Sequence, residues 1–289
     1  SRSTAAMFGL YAKEVGFYRE IAPHLDVRVP EVLAAEIADD GVDFVLIFED
    51  LGPARGGNQL ASCSLADARA GIRQAAALHA PSWNNPALIG LDLVQPREGQ
   101  SEQVKALYGN AQAIFRERYA DSLEPEFMAI CDELNEAKDH WFGRESETKS
   151  IVHGDFRLDN MLFDARAGRL PVAVLDWEMA SLGPREVDLA WMVFLHRFFE
   201  EVAWKMELPG MRHFMHAPDV VAHYEQVTGH TVQNFEWHTT YAALRHAAIM
   251  YRVAVRSITF GQGEWPADVD DLIMHRDALE QLLDGTYEP

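Results

Sequence analysis

The chain has 289 residues, 48% of them hydrophobic, which is enough apolar material for one or two domains with a large core. Its 25 basic and 45 acidic residues give a formal charge of −20, which argues against general binding to nucleic acid, because such binding depends on Lys and Arg that neutralise phosphates. The same charge argues against docking on anionic lipid, so neither nucleic acid nor membrane is a predicted partner.

The first 51 residues have the pattern of a helix followed by a β-hairpin. Between Thr4 and Pro23, side chains recur at the spacing of a single helix face: Leu10, Glu14, Phe17 and Ile21. Two runs rich in strand formers, Val29–Ala38 and Phe44–Phe48, flank an Asp-Asp-Gly turn and predict an antiparallel hairpin. Gly and Pro residues then interrupt the pattern, so we predict a boundary between a small N-terminal part, 1–51, and a larger helical part, 52–289.

Helices predominate after that boundary, apart from one further hairpin. Ser64 and Asp67 supply an N-cap and an acidic first turn for a helix that runs to about Ala80. The apolar runs Met161–Phe163 and Val172–Leu175, joined by a polar turn, predict the second hairpin. The other segments with helical patterning are 102–118, 124–142 and the stretch from Glu186 to the C-terminus.

The second hairpin carries polar residues in a pattern that suits phosphoryl transfer. Asp155 lies in the loop before it, Asn160 at the start of its first strand and Asp176 at the end of its second strand. A hairpin brings Asn160 and Asp176 to the same end, and oxygen ligands without His or Cys suit Mg²⁺ bound to phosphates. Asp155 adds an oxygen that can accept the proton of an incoming hydroxyl.

These residues belong to two motifs that resemble those of a known family. HGDFRLDN, residues 153–160, and VAVLDW, residues 172–177, resemble the catalytic and metal-binding motifs of the aminoglycoside phosphotransferase and choline kinase family. The resemblance implies a protein-kinase-like α+β fold with two lobes: a small β-sheet lobe, expected to be incomplete at its N-terminus, and a large, mainly helical lobe. The stretch LDWEMASLG is closest in style to the branch of this family associated with acyl-CoA dehydrogenases.

The resemblance also implies roles for the residues of both motifs. Asp155 would be the catalytic base that orients the acceptor hydroxyl, and Asn160 and Asp176 would hold Mg²⁺ against the phosphates of ATP. His153 and Asp188 would be structural, the first within the catalytic loop and the second at the start of a helix that braces this loop. The implied reaction moves the γ-phosphate of ATP to a hydroxyl of a small molecule, either aminoglycoside-like or of hydroxyacyl type.

The nucleotide site implied by the resemblance involves the first 51 residues. Glu14 would pair with a phosphate-binding Lys on a preceding strand. Adenine would be held by backbone hydrogen bonds of the hinge, which is formed by Phe48, Glu49, Asp50 and Leu51. Neither such a Lys nor a glycine-rich phosphate loop precedes the helix that contains Glu14. We therefore expect an N-terminal part to be missing from the sequence; the alternative is a pseudokinase that binds nucleotide and acts through a partner.

Other polar and aromatic residues have two interpretations. Arg157 and Glu178 flank the catalytic and metal positions, where each either touches a ligand or is a solvated or packing charge. Five residues lie on C-terminal helices, where the family builds its acceptor pocket, although core packing also accounts for them: Trp237, Tyr241, Arg245, Tyr251 and Arg252. A metal-dependent hydrolase is a third functional alternative, but the additional His and Asp ligands of such two-metal sites are not evident.

The remaining features concern cellular location. The two cysteines, Cys63 and Cys131, form no CxxC pair or zinc motif, which favours a reducing, cytoplasmic environment. The first residues do not have the continuous apolar run of a signal peptide. The longest uncharged apolar stretch, Leu189–Leu195, is far shorter than the ~20 residues of a membrane-spanning helix. Oligomeric state is not predicted by any of these features.

Overall fold

The computed structural model describes residues 5–6, 8–61, 63–96, 98–121, 124–125, 128–129, 132–133, 136, 149–164, 173–209, 215–267, 272–273 and 275–287. The chain forms two compact units. The first comprises Ser1–Gln95, Glu147–Ala242 and Glu288–Pro289, and the second comprises Pro96–Ser146 and Ala243–Tyr287. Both motifs of the predicted site lie in the first unit. The lobe boundary predicted after residue 51 stays a prediction.

A short helix and a β-hairpin open the first unit. Helix α1, Leu10–Gly16, continues as a π-helical turn, Phe17–Ile21, and a 3₁₀ turn, Ala22–His24. Strands β1, Val32–Ile37, and β2, Phe44–Phe48, pair antiparallel. Both elements confirm the sequence predictions. The first and last residues of the π-helical turn belong to the predicted helix face, and both are fully buried.

Helix α2, Leu65–Ser82, begins at a capping box. The Ser64 hydroxyl accepts a hydrogen bond from the Asp67 N–H, and the Asp67 carboxylate accepts one from the Ser64 N–H, both at 3.2 Å. These bonds satisfy N–H groups that a helix start leaves without partners, which confirms the predicted N-cap. Arg55, in strand β3 (Arg55–Gly56), pairs with the same carboxylate and so ties the helix start to this strand.

Two small antiparallel sheets hold the predicted motifs. Strand β3, strand β5 (Met161–Phe163) and strand β6 (Ala173–Val174) form one sheet in that order, and β4 (Ser150–Val152) pairs with β7 (Ser181–Gly183) in the other. Strands β5 and β6 are the second hairpin predicted from the sequence. Residues 165–172, which include most of its predicted turn, lie outside the described residues.

Gly57, directly after β3, lies against the turn that precedes β5. Its N–H donates to the Met161 carbonyl at 2.9 Å. A Cβ at this position would lie 1.9 Å from the carbonyl oxygen of Leu158, so only glycine fits without displacing the backbone. The glycine-rich segment that marks the predicted boundary is therefore also a packing requirement of the second hairpin.

Helices make up most of the rest of the chain. They are α3 (Pro86–Ile89), α4 (Gln100–Tyr119), α5 (Glu186–Lys205), α6 (Ala217–Thr228), α7 (Phe235–Thr259) and α8 (Arg276–Asp284). Helices α3, α5, α6 and the start of α7 belong to the first unit, whereas α4, the rest of α7 and α8 belong to the second. The helices predicted at 102–118 and after Glu186 are confirmed. Most of the helix predicted at 124–142 lies outside the described residues.

Three buried rings join α1 to the two sheets. Phe17 stacks face to face on Trp177 with ring centroids 3.7 Å apart, and the His153 ring lies 4.5 Å from the Trp177 ring. All three side chains are fully buried. Phe17 and Trp177 belong to one hydrophobic cluster that includes Phe156 of the first motif and Leu189 of α5, so the core of the first unit reaches both motifs.

The second unit has apolar contacts of its own. Met128 and Leu272 are buried there, and Tyr251 and Trp265 pack against them. Tyr251, a candidate for substrate contact, therefore has a packing role. None of the helices in the described ranges is long and apolar enough to cross a membrane.

Candidate active site

The loop that carries Asp155 leaves β4 in a tight turn. Gly154 has φ +82°, and a Cβ there would lie 2.7 Å from the carbonyl oxygen of Met179. Glycine is therefore needed both for the backbone conformation and for the close approach. The loop lies directly against the 3₁₀ turn Trp177–Met179, which follows Asp176, so this glycine brings the two motifs into contact.

Asp188, in the first turn of α5, holds the backbone of the loop. Its Oδ2 accepts a hydrogen bond from the His153 N–H at 2.7 Å, and its Oδ1 accepts one from the Gly154 N–H at 2.9 Å. Burial alone would raise the pKa of Asp188, but the hydrogen bond and charge of His79, together with His153, outweigh burial and lower this pKa. The ionised carboxylate braces the loop, as the sequence analysis expected.

Helices α2 and α6 extend this bracing through His79 and Tyr224. His79 Nε2 lies 3.1 Å from Asp188 Oδ2, and His79 Nδ1 lies 3.0 Å from the Tyr224 hydroxyl oxygen. All three side chains are fully buried. Neither residue was predicted as part of the site, although His79 falls on the apolar face of α2 that includes Ile72 and Ala75. The feature of the sequence that could have pointed to His79 is its imidazole on an otherwise apolar helix face.

Asp155 is held by three hydrogen-bond donors. Trp191 Nε1 donates to Oδ1 at 2.7 Å, whereas Asn160 Nδ2 and Arg157 Nε donate to Oδ2 at 3.0 and 3.1 Å. The Asp155 side chain nevertheless stays 25% exposed. A carboxylate that is fixed in orientation and reachable from solvent has the properties of a general base. Arg157 thus pairs with this carboxylate instead of being a solvated charge.

Asn160 lies beside Asp155 and leads to Asp176. Its Nδ2 donates to both the carbonyl and the carboxylate of Asp155, so its Oδ1 is the side-chain atom left to serve as a ligand. The Leu175 N–H donates to the Asn160 carbonyl at 2.9 Å, and Asp176 is the next residue. The structure therefore brings together the three residues that the sequence predicted to form the site.

Carboxylates crowd the end of the hairpin. Burial raises the pKa of Asp176; His153 and Arg157 oppose the rise, and the Asp155 carboxylate adds to it. Burial also raises the pKa of Glu178, with the charges of Asp176 and Asp155 adding to the effect. A cation bound in this space would offset the mutual repulsion of these groups.

The ligand atoms at this end of the hairpin fit Mg²⁺. The Asp176 carboxylate and the Asn160 Oδ1 are hard oxygen donors of the kind that Mg²⁺ prefers. Among the described residues, no group of three His, Cys, Asp or Glu side chains is placed to hold a metal ion. Asp176 and Asn160 would supply only part of a ligand set. Mg²⁺ typically binds in this way, with phosphate oxygens and waters as its other ligands.

Glu14 faces the same region from α1. The Trp177 N–H and the Tyr18 hydroxyl donate to its carboxylate, whereas its buried Oε2 has no hydrogen-bond partner among the described residues. Burial, followed by the charge of Asp176, raises the pKa of Glu14 to about 8. A cationic group at Oε2 would relieve this unfavourable charge. The pairing of Glu14 with a Lys stays a prediction.

The pKa of Glu14 predicts a pH-dependent effect of Glu14→Gln in the absence of nucleotide and divalent metal. The value of about 8 in the folded state exceeds the ordinary value of 4.5, so between these values the folded protein retains a proton that the unfolded chain has lost. Wild-type stability therefore falls as pH rises through this window. Relative to wild type, the variant should therefore gain about 4 kcal/mol of stability from pH 4.5 to pH 8, because each pKa unit corresponds to about 1.4 kcal/mol.

Urea unfolding of both proteins at several pH values measures this gain. Glu20→Gln, at an exposed position on the adjoining π-helical turn, is the matched control and should follow wild type. A stability difference between Glu14→Gln and wild type that stays constant from pH 4.5 to pH 8 would contradict the assignment.

The predicted hinge residues begin with the last residue of β2, and their side chains are largely engaged. Phe48 packs against the hydrophobic core. Glu49 is tied to Glu31, because its N–H donates to the Glu31 carbonyl and its carboxylate accepts the Glu31 N–H, both at 2.9 Å. The Asp50 carbonyl and the Leu51 N–H have no partner within the described ranges. Both groups are available to bind a nucleobase, a role that stays a prediction.

The candidate acceptor residues lie along α7. Trp237 and Tyr241 stack with nearly parallel rings 5.5 Å apart, and Trp237 is 37% exposed. Both belong to the first unit, whereas Arg245, Tyr251 and Arg252 belong to the second. Contact of any of these residues with substrate stays a prediction, and the exposed ring stack favours it for the first pair.

Comparisons with known proteins bear on the family and the fold. The sequence pattern of the phosphotransferase enzyme family matches residues 8–225, which include both motifs. Acyl-CoA dehydrogenase family member 10 of Mus musculus is 28% identical over 120 residues, which are 38% of this chain and 11% of that protein. The chain therefore spans only a small part of the length of this relative.

Solved structures share the fold. A provisionally assigned aminoglycoside phosphotransferase of Ralstonia eutropha has a TM-score of 0.57 and 21% identity, with 98% of this chain and 82% of that chain covered. APH(2″)-IIIa, solved with GDP and kanamycin, has a TM-score of 0.54 and 14% identity, with 99% and 85% covered. These likenesses confirm the predicted α+β, protein-kinase-like fold, and the family match confirms the predicted enzyme class. The chain belongs to the phosphotransferase enzyme family.

Proposed function

We propose that the protein transfers the γ-phosphate of ATP to a hydroxyl group of a small molecule, with Mg²⁺ as cofactor. The observation that carries this proposal is the joint position of Asp155, Asn160 and Asp176. A carboxylate that is fixed yet reachable lies beside two oxygen ligands. Phosphoryl transfer depends on positioning and electrostatics, and this arrangement supplies both.

Asp155 has the role of general base in this proposal. It accepts the proton of the acceptor hydroxyl while the hydroxyl oxygen forms a bond to the γ-phosphorus. The bond between that phosphorus and the β,γ-bridging oxygen breaks, and ADP leaves. Asn160 and Asp176 would hold Mg²⁺, which neutralises the phosphate charge when it is bound. Asp188 keeps the loop, and hence the base, in place.

The nucleotide would be bound by α1 and the hinge. Glu14, with its buried and unpaired Oε2, would face the positively charged partner of the phosphates. The backbone of Phe48, Glu49, Asp50 and Leu51 would hold the nucleobase, and the unpaired Asp50 carbonyl and Leu51 N–H support this role. ATP is the proposed donor, although GDP is the nucleotide bound in APH(2″)-IIIa.

Two acceptor classes are proposed. An aminoglycoside-like polycation is supported by the net charge of −20 and by the kanamycin bound to APH(2″)-IIIa. A hydroxyacyl compound is supported by the similarity to acyl-CoA dehydrogenase family member 10.

We also propose a cytoplasmic location without nucleic acid or membrane partners, which the buried, free Cys63 and the acidic composition support. Cys131 lies outside the described residues.

The second candidate function is a pseudokinase that binds nucleotide without transferring phosphate. The observation that favours it is the Glu14 Oε2, which has no cationic partner in the described part of the chain. A site unable to fix the phosphates would bind MgATP weakly or would bind it without turnover. Nucleotide binding and phosphate transfer therefore have to be measured separately.

Asp176→Ala tests the nucleotide site. Saturating MgATP at 100 times its Kd should stabilise the wild-type protein by about 2.7 kcal/mol, and this gain should depend on Mg²⁺. The variant should lose most of it, because the carboxylate that would hold the metal is removed. Thermal unfolding with ATP, with and without Mg²⁺, measures both effects. Asp219→Ala, an exposed position in the first turn of α6, is the control and should keep the full gain.

Transfer is then measured with radiolabelled ATP against kanamycin, choline, 1-amino-2-propanol, 3-hydroxybutyryl-CoA and water. Phosphate transfer to any of the four organic acceptors, above the rate of transfer to water, supports the enzyme. MgATP binding without transfer to any of them favours the pseudokinase. An equal thermal gain for Asp176→Ala and wild type would remove Asp176 from the proposed metal site.

A further inference from the structure

Helix α5 contacts the catalytic loop at two points on the same face. Asp188 accepts the N–H groups of His153 and Gly154. Trp191, three residues later, donates its indole N–H to Asp155 Oδ1 at 2.7 Å. Residues three apart lie side by side on a helix, so one surface of α5 fixes both the backbone of the loop and the side chain of the base.

The indole contact determines which oxygen of the base is available. The indole N–H of Trp191 is a donor only, and the residue is 5% exposed, so water has little access to replace its bond to Oδ1. Oδ2 has different neighbours, Asn160 Nδ2 and Arg157 Nε. The Arg157 side chain is 28% exposed and also pairs with Asp159 at 3.0 Å. Arg157 can therefore leave Oδ2 and keep a carboxylate partner.

We propose that Trp191 is a positioning residue that commits Oδ1 of Asp155, so that Oδ2 is the atom that receives the acceptor proton. This inference rests on the proposed phosphotransfer. The acceptor hydroxyl takes the place of Arg157 Nε at Oδ2, its proton moves to Oδ2, and its oxygen forms the bond to the γ-phosphorus while ADP leaves. Trp191 itself touches neither the nucleotide nor the acceptor.

The contact itself can be tested without turnover. In protein labelled with ¹⁵N-tryptophan, the indole resonance of Trp191 is the one missing from Trp191→Phe. We expect this resonance to shift in Asp155→Ala, which removes its acceptor, while the other indole resonances stay in place. An unchanged Trp191 resonance in Asp155→Ala would overturn the proposal whether or not the protein proves to be a phosphotransferase.

The positioning role is tested by kinetics in two backgrounds. With MgATP and the acceptor of highest turnover in the panel, water included, Trp191→Phe should lower kcat by ~10–100-fold and leave the KM for ATP within about twofold of wild type. In the Asp155→Asn background the same substitution should cause no further loss, because it acts only through the carboxylate. Trp204→Phe, on the same helix and 60% exposed, should keep wild-type kinetics.

Each alternative outcome has a separate meaning. Wild-type kcat in Trp191→Phe would overturn the proposal, as would an equal loss of kcat in both backgrounds, which is the result of a structural role alone. The thermal gain from MgATP shows whether Trp191→Phe keeps a folded nucleotide site. Absence of transfer by the wild-type protein to every acceptor would overturn the proposed function, and the indole resonance would still decide whether Trp191 holds Asp155.

Discussion

Asp155→Asn is expected to lower kcat by ~10²–10⁴-fold and to leave MgATP binding nearly unchanged. The carboxamide has the shape of the carboxylate and can still accept the indole N–H of Trp191 at its oxygen. It cannot accept the proton of the hydroxyl, because its nitrogen is a donor. The loop should keep its position, since Asp188 holds the loop through the backbone rather than through Asp155.

Steady-state transfer and the thermal gain from MgATP measure these two quantities separately. A loss of kcat with an unchanged thermal gain would assign Asp155 to the chemical step. Asp219→Asn makes the same chemical change at an exposed position on α6 and should leave both quantities as in wild type. Turnover by Asp155→Asn at the wild-type rate would remove Asp155 from the role of base.

His79→Leu is expected to lower the free energy of unfolding by about 3–5 kcal/mol. Leucine fills a similar space but leaves the buried Asp188 carboxylate without the side chain that most strongly stabilises its charge. The Tyr224 hydroxyl, also buried, loses its partner at the same time. Because Asp188 holds the loop backbone, we also expect transfer activity to fall at temperatures where the variant remains folded.

Urea unfolding gives the stability change, and Tyr224→Phe is the graded control. Removal of that hydroxyl takes away only the outer hydrogen bond of the network and leaves the pair of His79 with Asp188 intact. The expected cost is therefore about 1 kcal/mol. If both variants lost equal stability, the contact between His79 and Asp188 would not be the dominant interaction of the network.

The sequence predicted the elements and residues that depend on local pattern. The hairpin of β5 and β6 followed from two apolar runs, and it brings Asn160 next to Asp176 through a hydrogen bond that continues its ladder. The capping box of α2 followed from Ser64 and Asp67 at the required spacing. In each case the interacting residues are joined by a short connection or lie on one strand pair, so their contact is a property of local geometry.

The residues that hold Asp155 and its loop could not be predicted in the same way. His79, Tyr224 and Trp191 lie on three different helices, and their contacts depend on how these helices pack. Hydrophobic periodicity places each of these residues on a buried helix face, and the pattern does not distinguish such a residue from an ordinary core residue. The family resemblance led us to expect that Asp188 braces the loop. The resemblance did not indicate that His79 is the partner of Asp188.

The stacked rings of Phe17, Trp177 and His153 have a mechanical consequence. The rings of Phe17 and Trp177 are in direct contact, with their centroids 3.7 Å apart. Close-packed interiors transmit a displacement from one side chain to the next. A tilt of the segment that carries Glu14 and Phe17 must therefore also move the turn after Asp176, or else separate the two stacked rings. Through these contacts, a displacement at Glu14 is coupled to the position of Asp176, and the buried His153 ring packs against the same turn.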